Sequence, residues 1–455
     1  LKHVQENIEG MDSDGTEGIQ MIGKASRPNA LTAPGPALAC LLILAVIWAS
    51  PAAALAGTGP AGRISGFSVG EGRVTLTLFA GDFEITEQVR GQRIVMDGFG
   101  SLGVPGGPDL PMKRFLVALP PGARALSVEV LGAGTTPLTG TYRIRPHAQI
   151  APLPGTPRLG EHAERMRGEW LAAHDAAYLD DGPCPGRIAW LDASGGLRKY
   201  SYASVSFCPF TYYAESGRLE YHSDVTVAID YSLPAPDGPE GALVRRLLPD
   251  TAADERAADL FCNYREVADL YLPGSSRPAP LDETYDYVIV TTSGLLGAVT
   301  ASDFIAWKTA LGHSLRTVLI TDTEIAGQPG ADLAEQIRNF LRAYYAVWGI
   351  QYVLMVGDYA TVPMRICYPD PAFHVYDPSD PGLVAPGTPT DCYYADLSFA
   401  DDVSWDLDGD GYHGEYGEDS PDFLAEVSVG RIPVNDTARI TYALDKSAAF
   451  EQDTG

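Results

Sequence analysis

The sequence predicts a multidomain protein: an all-β region, a sandwich or barrel, followed by an α/β domain on a mostly parallel sheet. Three observations carry this. From Gly62 to Leu233, short runs alternate apolar and polar residues and are separated by Gly and Pro clusters. From Tyr285 onward, apolar strand-like runs alternate with helical periodicity. Between them, prolines at 234, 236, 239, 249, 273, 278 and 280 punctuate a segment read as a linker over 234–284.

In the β region the strands are RVTLTLFAG (73–81), RIVMDGF (93–99), FLVALP (115–120), LSVEVLG (126–132) and RLEYHSDVTVAIDYSL (218–233). Residues 161–177 carry one helical insertion. The linker holds Arg245-Arg246, a dibasic processing candidate as well as an ordinary solvated pair. Then come YDYVIVTT (285–292), a helix stopped at Gly312, SLRTVLI (314–320), an amphipathic helix over 331–348, QYVLMVGD (351–358), EVSVGRI (426–432) and a last helix from Ala438.

The formal net charge is −27, with 59 acidic against 32 basic side chains. Such a surface repels phosphate backbones and anionic lipid, so no nucleic-acid partner is expected. Ala37 to Ala49 is an apolar run of 13 residues, preceded by Lys24 and Arg27 and followed by Ala54-Leu55-Ala56. That is the layout of a secretory signal with a mature chain from about Gly57, so residues 1–56 are read as extension plus signal. The expected location is secreted or extracellular, with cell-surface association open and no integral membrane segment after signal removal. Beyond Cys40, five widely spaced cysteines remain, with no CxxC pair. This is neither a disulfide scaffold nor a cysteine-built zinc site.

No GxGxxG or GxxxxGK[ST] occurs at the first βα turn, which disfavours nucleotide binding. Gly66-Phe67-Ser68-Val69-Gly70 matches GxSxG in letters, but it leads into a strand rather than joining strand to helix. The run DLDGDGYHGEYGED (406–419) is different. Asp406, Asp408, Asp410 and Gly411 reproduce the first half of an EF-hand loop, and Tyr412 would offer its carbonyl. The second half departs, with Gly417 at position twelve. Oxygen donors at this density suit Ca2+, so a structural Ca2+ held by Asp406, Asp408, Asp410, Tyr412 and Glu415 is expected.

Six stretches after residue 284 resemble, in order, the gingipain-type cysteine peptidases, a caspase-like family of secreted bacterial endopeptidases. They are YDYVIVTT, DFIAWKTALGHSLRTVLI (303–320), YVLMVGDYATVP (352–363), TDCYYADL (390–397), WDLDGDGYHGEYGE (405–418) and EVSVGRIPV (426–434). GVPGGPDLP (103–111) and residues 207–231 are similar to the propeptide that precedes that catalytic domain and holds it latent. The resemblance implies a β-rich prodomain over 57–233 and a caspase-like domain from 285. It also implies protein or peptide substrates and a cysteine endopeptidase activity. In the family the catalytic His-Gly and Cys follow the G-R-I-P strand and the next helix, so the resemblance implies a catalytic domain incomplete at Gly455 and an inactive chain as supplied. Glu426 matches an acid that the family carries before that strand, which implies a histidine-orienting role. A sortase-like transpeptidase and a non-catalytic calcium-binding surface protein are the alternatives.

Overall fold

Residues 63–148, 157–272, 283–368, 387–397, 402–415 and 418–453 are described in the computed structural model. The segment read as an export signal, residues 1–56, lies outside them. The β region runs through β1 (Ile64–Gly70), β2 (Arg73–Phe79), β3 (Phe83–Gln88), β4 (Gly91–Met96), β5 (Gly100–Ser101), β6 (Pro111–Leu119) and β7 (Arg124–Pro137). Helix α1 (Pro157–Tyr178) follows, as the sequence predicts, and then β8 (Ala189–Leu197), β9 (Tyr200–Phe207), β10 (Phe210–Tyr213) and β11 (Arg218–Ser232).

One antiparallel sheet orders β1-β2-β11-β10, with β7 also paired to β11; a second orders β5-β6-β9-β8, and β3-β4 is a hairpin. Alternation explains the packing. Val74, Leu76 and Leu78 of β2, Val225, Val227 and Ile229 of β11, Val117 and Leu119 of β6, and Val205 and Phe207 of β9 share one apolar core. Ser68 lies within β1, where its hydroxyl pairs with the Thr75 hydroxyl at 2.6 Å. The GxSxG letters therefore mark no nucleophile elbow.

The segment read as a linker is largely folded. It holds α2 (Pro239–Leu247), α3 (Asp254–Leu260) and α4 (Tyr264–Val267). Ala257, Phe261, Val267 and Tyr271 pack on Ala118, Tyr200 and Tyr202 at the second sheet. Buried Asn263 donates through Nδ2 to the Ala118 carbonyl at 2.8 Å and accepts the Ala118 N–H at 2.7 Å, in the manner of a neighbouring strand. Leu247 of α2 instead joins the core of the α/β region. Arg245 and Arg246 form the last turn of α2, exposed but helical, where cations complement the helix dipole.

The α/β region comprises β12 (Tyr287–Thr291), α5 (Ser293–Thr300), α6 (Phe304–Ala310), β13 (Leu315–Leu319), α7 (Thr323–Ala326), α8 (Leu333–Tyr344) and β14 (Tyr352–Val356). After the short pair β15 (Arg365–Cys367) and β16 (Thr388–Thr390) come α9 (Cys392–Ala395), β17 (Ser428–Ile432) and α10 (Thr437–Gln452). The sheet is parallel, ordered β13-β12-β14-β17. Its central strands are buried on both faces. Val288, Val290, Val353 and Met355 face Ile337, Phe340 and Leu341 of α8. Tyr287, Ile289, Leu354 and Val356 face Leu295, Phe304, Ile440 and Leu444 of α5, α6 and α10. Period-2 burial beneath two helical layers is why these runs read as continuous apolar strands. Asp332 caps α8 by accepting the Glu335 N–H at 2.9 Å, and Asp436 caps α10 through the Arg439 N–H at 2.8 Å.

Candidate active-site edge and cation loop

In an open parallel sheet, sites form outside the carboxyl ends of the strands. Here that edge is set by Thr291, Val356 and Ile432. The buried Thr291 hydroxyl donates to the Val356 carbonyl at 3.0 Å, and the Gly357 N–H donates to the Ile432 carbonyl at 3.0 Å. Gly357 has φ +139°, and a Cβ there would meet Val362 at 3.0 Å. Asp358 closes the following turn by accepting the Ala360 and Thr361 N–H groups at 3.1 and 2.9 Å. Hydrogen bonds from Asn435 and Thr361 hold its carboxyl below the usual range.

Arg431 of β17 organises this edge. Its Nε and Nη2 donate to the two Asp391 oxygens at 2.7 and 2.8 Å, and its Nη1 donates to the carbonyls of Gly357 and Val362 at 2.9 and 2.7 Å. The side chain is 6% exposed. Three stretches distant in sequence, the Gly-Asp turn, the Thr-Asp-Cys-Tyr-Tyr run and the Gly-Arg-Ile-Pro strand, therefore meet on one guanidinium. Tyr393 lies between two further cations, Arg338 and Arg365, 4.9 and 4.6 Å from its ring centre.

Cys367 is not set up as an activated nucleophile. All five described cysteines are free thiols. Cys367 lies with its sulfur 3.7 Å from the Gly414 carbonyl, beside the His413-Gly414 pair. Burial, with Asp419 next, pushes the Cys367 thiol up, while burial and Arg365 push His413 down. A thiolate–imidazolium pair requires the opposite shifts.

Glu426 stands before β17, at the amino edge of the sheet and not at its carboxyl edge. It is 3% exposed. Its Oε2 accepts the Leu397 N–H at 2.6 Å, and its Oε1 has no hydrogen-bond partner among the described residues. Burial, Asp422 and Asp396 raise its carboxyl well above the usual range. Its place at the amino edge sets it apart from the carboxyl edge, where sites of such sheets form, although the sequence reading gave it a histidine-orienting role. Because its folded pKa is raised, its contribution to stability is full below the ordinary carboxylate pKa and is lost as pH rises. Glu426→Gln is accordingly expected to gain stability relative to wild type as pH rises from 5 to 8. Urea midpoints compared at several pH values check this, and parallel curves would show that Glu426 titrates normally.

The acidic loop closes on itself. Gly409 and Gly411 take φ +79° and +86°, the left-handed turns that glycine permits. Carboxylate oxygens of Asp406, Asp408 and Asp410 lie within 4.8 Å of one another, as do those of Asp408, Glu415 and Glu418. Asp408 is common to both groups. Glu415 is 1% exposed, and burial with Asp410, Glu418 and Asp419 pushes its carboxyl up to about 7. Asp419 ties the loop by accepting the Leu407 and Glu415 N–H groups at 2.6 and 3.0 Å. Converging hard-oxygen donors fit a cation of the Ca2+ type. Glu418 was absent from the ligand set read from the sequence. The EF-hand template puts the last ligand at 417, and the acid stands one residue later.

Residues 280–455 match the model of Peptidase family C25, and residues 77–253 match that of its propeptide, Propeptide C25. Among solved structures, the complex of Porphyromonas gingivalis RgpB pro- and mature domains is 17% identical, with a TM-score of 0.33, covering 45% of this chain and 96% of that one. A structure of gingipain K from Porphyromonas gingivalis that addresses its zymogenic latency is 17% identical at TM-score 0.31, covering 40% of this chain and 99% of that one. Dimeric latent PorU from Porphyromonas gingivalis is 13% identical at 0.24, covering 81% and 40%. No curated protein matches. With the propeptide match followed by the peptidase match, this chain belongs to the gingipain-type cysteine peptidases and carries their prodomain ahead of a peptidase region.

Proposed function

We propose that the chain is the N-terminal portion of a secreted cysteine endopeptidase whose catalytic His and Cys lie beyond residue 455. The observation that carries this reading is the order of the two matches, propeptide over 77–253 and peptidase over 280–455. The parallel sheet with its Arg431-braced carboxyl edge supplies a rigid platform for such a pair. In the whole enzyme the cysteine thiolate would attack the peptide carbonyl, and the imidazolium would protonate the leaving amine. Water activated by the imidazole would then release the acyl group. The described residues contribute the sheet edge and its braced loops to this chemistry.

The acidic loop is proposed to bind one Ca2+ through Asp406, Asp408, Asp410, Glu415 and Glu418, with the Tyr412 carbonyl as a further donor. Such an ion supplies charge neutralisation and no chemistry of its own.

The 455-residue chain is expected to show no thiol-dependent peptidase activity. Cleavage of casein by highly purified protein, abolished by Cys392→Ala or Cys367→Ala, would overturn this. Sequencing past residue 455 tests the larger reading. A His-Gly and a later Cys support the peptidase, and their absence supports a calcium-binding surface protein that keeps the fold.

A further inference from the structure

The β8–β9 turn projects out of the β region toward the amino edge of the parallel sheet. At its tip Arg198 takes φ +53°, a left-handed backbone that a side-chain-bearing residue rarely adopts. Its side chain is 5% exposed. Nη1 donates to the Ile350 carbonyl at 2.9 Å, just before β14, and to the Glu426 carbonyl at 2.7 Å, just before β17. Nε pairs with Asp250, and the guanidinium lies 5.5 Å from the Tyr345 ring centre. Around it, the Gly196 N–H donates to Asp422 at 2.9 Å, and Arg256 donates to the Ala425 carbonyl at 2.8 Å. Leu243 and Leu247 of α2 pack in the α/β core next to this turn.

We propose that Arg198 is the anchor that holds the N-terminal β region on the α/β region, as a recognition contact between separable pieces of this chain. The chemistry is specific. Across the contact the planar fork reads two strand-start carbonyls and lies against a tyrosine, while Asp250, in the same N-terminal piece, holds the fork in place; a lysine ammonium satisfies this set only in part. The contact sits at the amino edge of the sheet. Attachment through it is therefore distinct from any blocking of the carboxyl edge, where sites of such sheets form. This holds whether or not a catalytic pair lies downstream.

The neighbouring residue provides an internal control. Lys199 is equally enclosed, 7% exposed, but its 2.7 Å ion pair goes to Asp254 of α3, on the β-region side. In the experiment, a site-specific protease sequence is inserted between Ser275 and Ser276, the purified chain is cut, and retention of the two pieces is measured by gel filtration on dilution. Wild-type pieces should co-elute. Arg198→Ala should weaken retention by about 30-fold, the effect of leaving two enclosed carbonyls without their charged donor. Arg198→Lys should recover part of it, and Lys199→Ala should retain the pieces as wild type does. Circular dichroism of each uncut variant separates loss of attachment from loss of fold. Equal retention by wild type and a folded Arg198→Ala would overturn the proposal, as would equal weakening by Arg198→Ala and Lys199→Ala.

Discussion

Arg431→Ala is expected to destabilise the α/β region by about 3–5 kcal/mol, the range for removing one partner of a buried ion pair. The cause is local. Asp391 would be left mostly enclosed without its counter-ion, and the Gly357 and Val362 carbonyls would lose their donor. Arg431→Lys should recover little, because a point ammonium cannot meet two carboxylate oxygens and two carbonyls in one plane. Urea denaturation followed by tryptophan fluorescence measures this, since Trp348 and Trp405 are buried in that core. A midpoint shift worth under about 1 kcal/mol, the scale of an exposed pair, would mean that the guanidinium is solvated and braces nothing.

Calcium removal is expected to have the next largest effect. A ligand at about 100 times its dissociation constant stabilises the folded state by about 2.7 kcal/mol. For an α/β region of this size that corresponds to a fall of roughly 5–10 °C in the melting temperature when chelator is added. Asp408→Ala should abolish the calcium response, because Asp408 belongs to both carboxylate groups. Asp406→Ala should leave a weaker response through Asp408, Glu415 and Glu418. Coincident melts of wild type with calcium and with chelator, and no heat on calorimetric titration, would leave the loop as a solvated turn.

The central strands were legible because β12 and β14 are apolar at nearly every position, a consequence of helices on both faces. The acidic loop was legible because its first ligands are local in sequence. Glu418 was not, because the second half of the loop leaves the template register. The Arg431–Asp391 pair spans 40 residues, and neither residue stands out alone. The helices over 239–267 hid behind the prolines. They run to 9, 7 and 4 residues, too short for a periodic signal, and Asn263 acts through tertiary contact alone. Glu426 was legible as an acid before a strand, and in a parallel sheet that position stands at the amino end.

The split loyalty of the 239–272 helices bears on the order in which the chain can mature on the ribosome. Helices α3 and α4 complete the β region, but α2 carries Leu247 into a core whose partner Tyr345 is synthesised roughly 100 residues later. At translation rates of about 5–20 residues per second, that delay is ~5–20 s. Through that interval the nascent β region presents the apolar face of α2 and the Arg198 guanidinium with most of their final contacts still unmade. The N-terminal piece therefore emerges first but is finished last, and this interval is when a nascent-chain binder would find it.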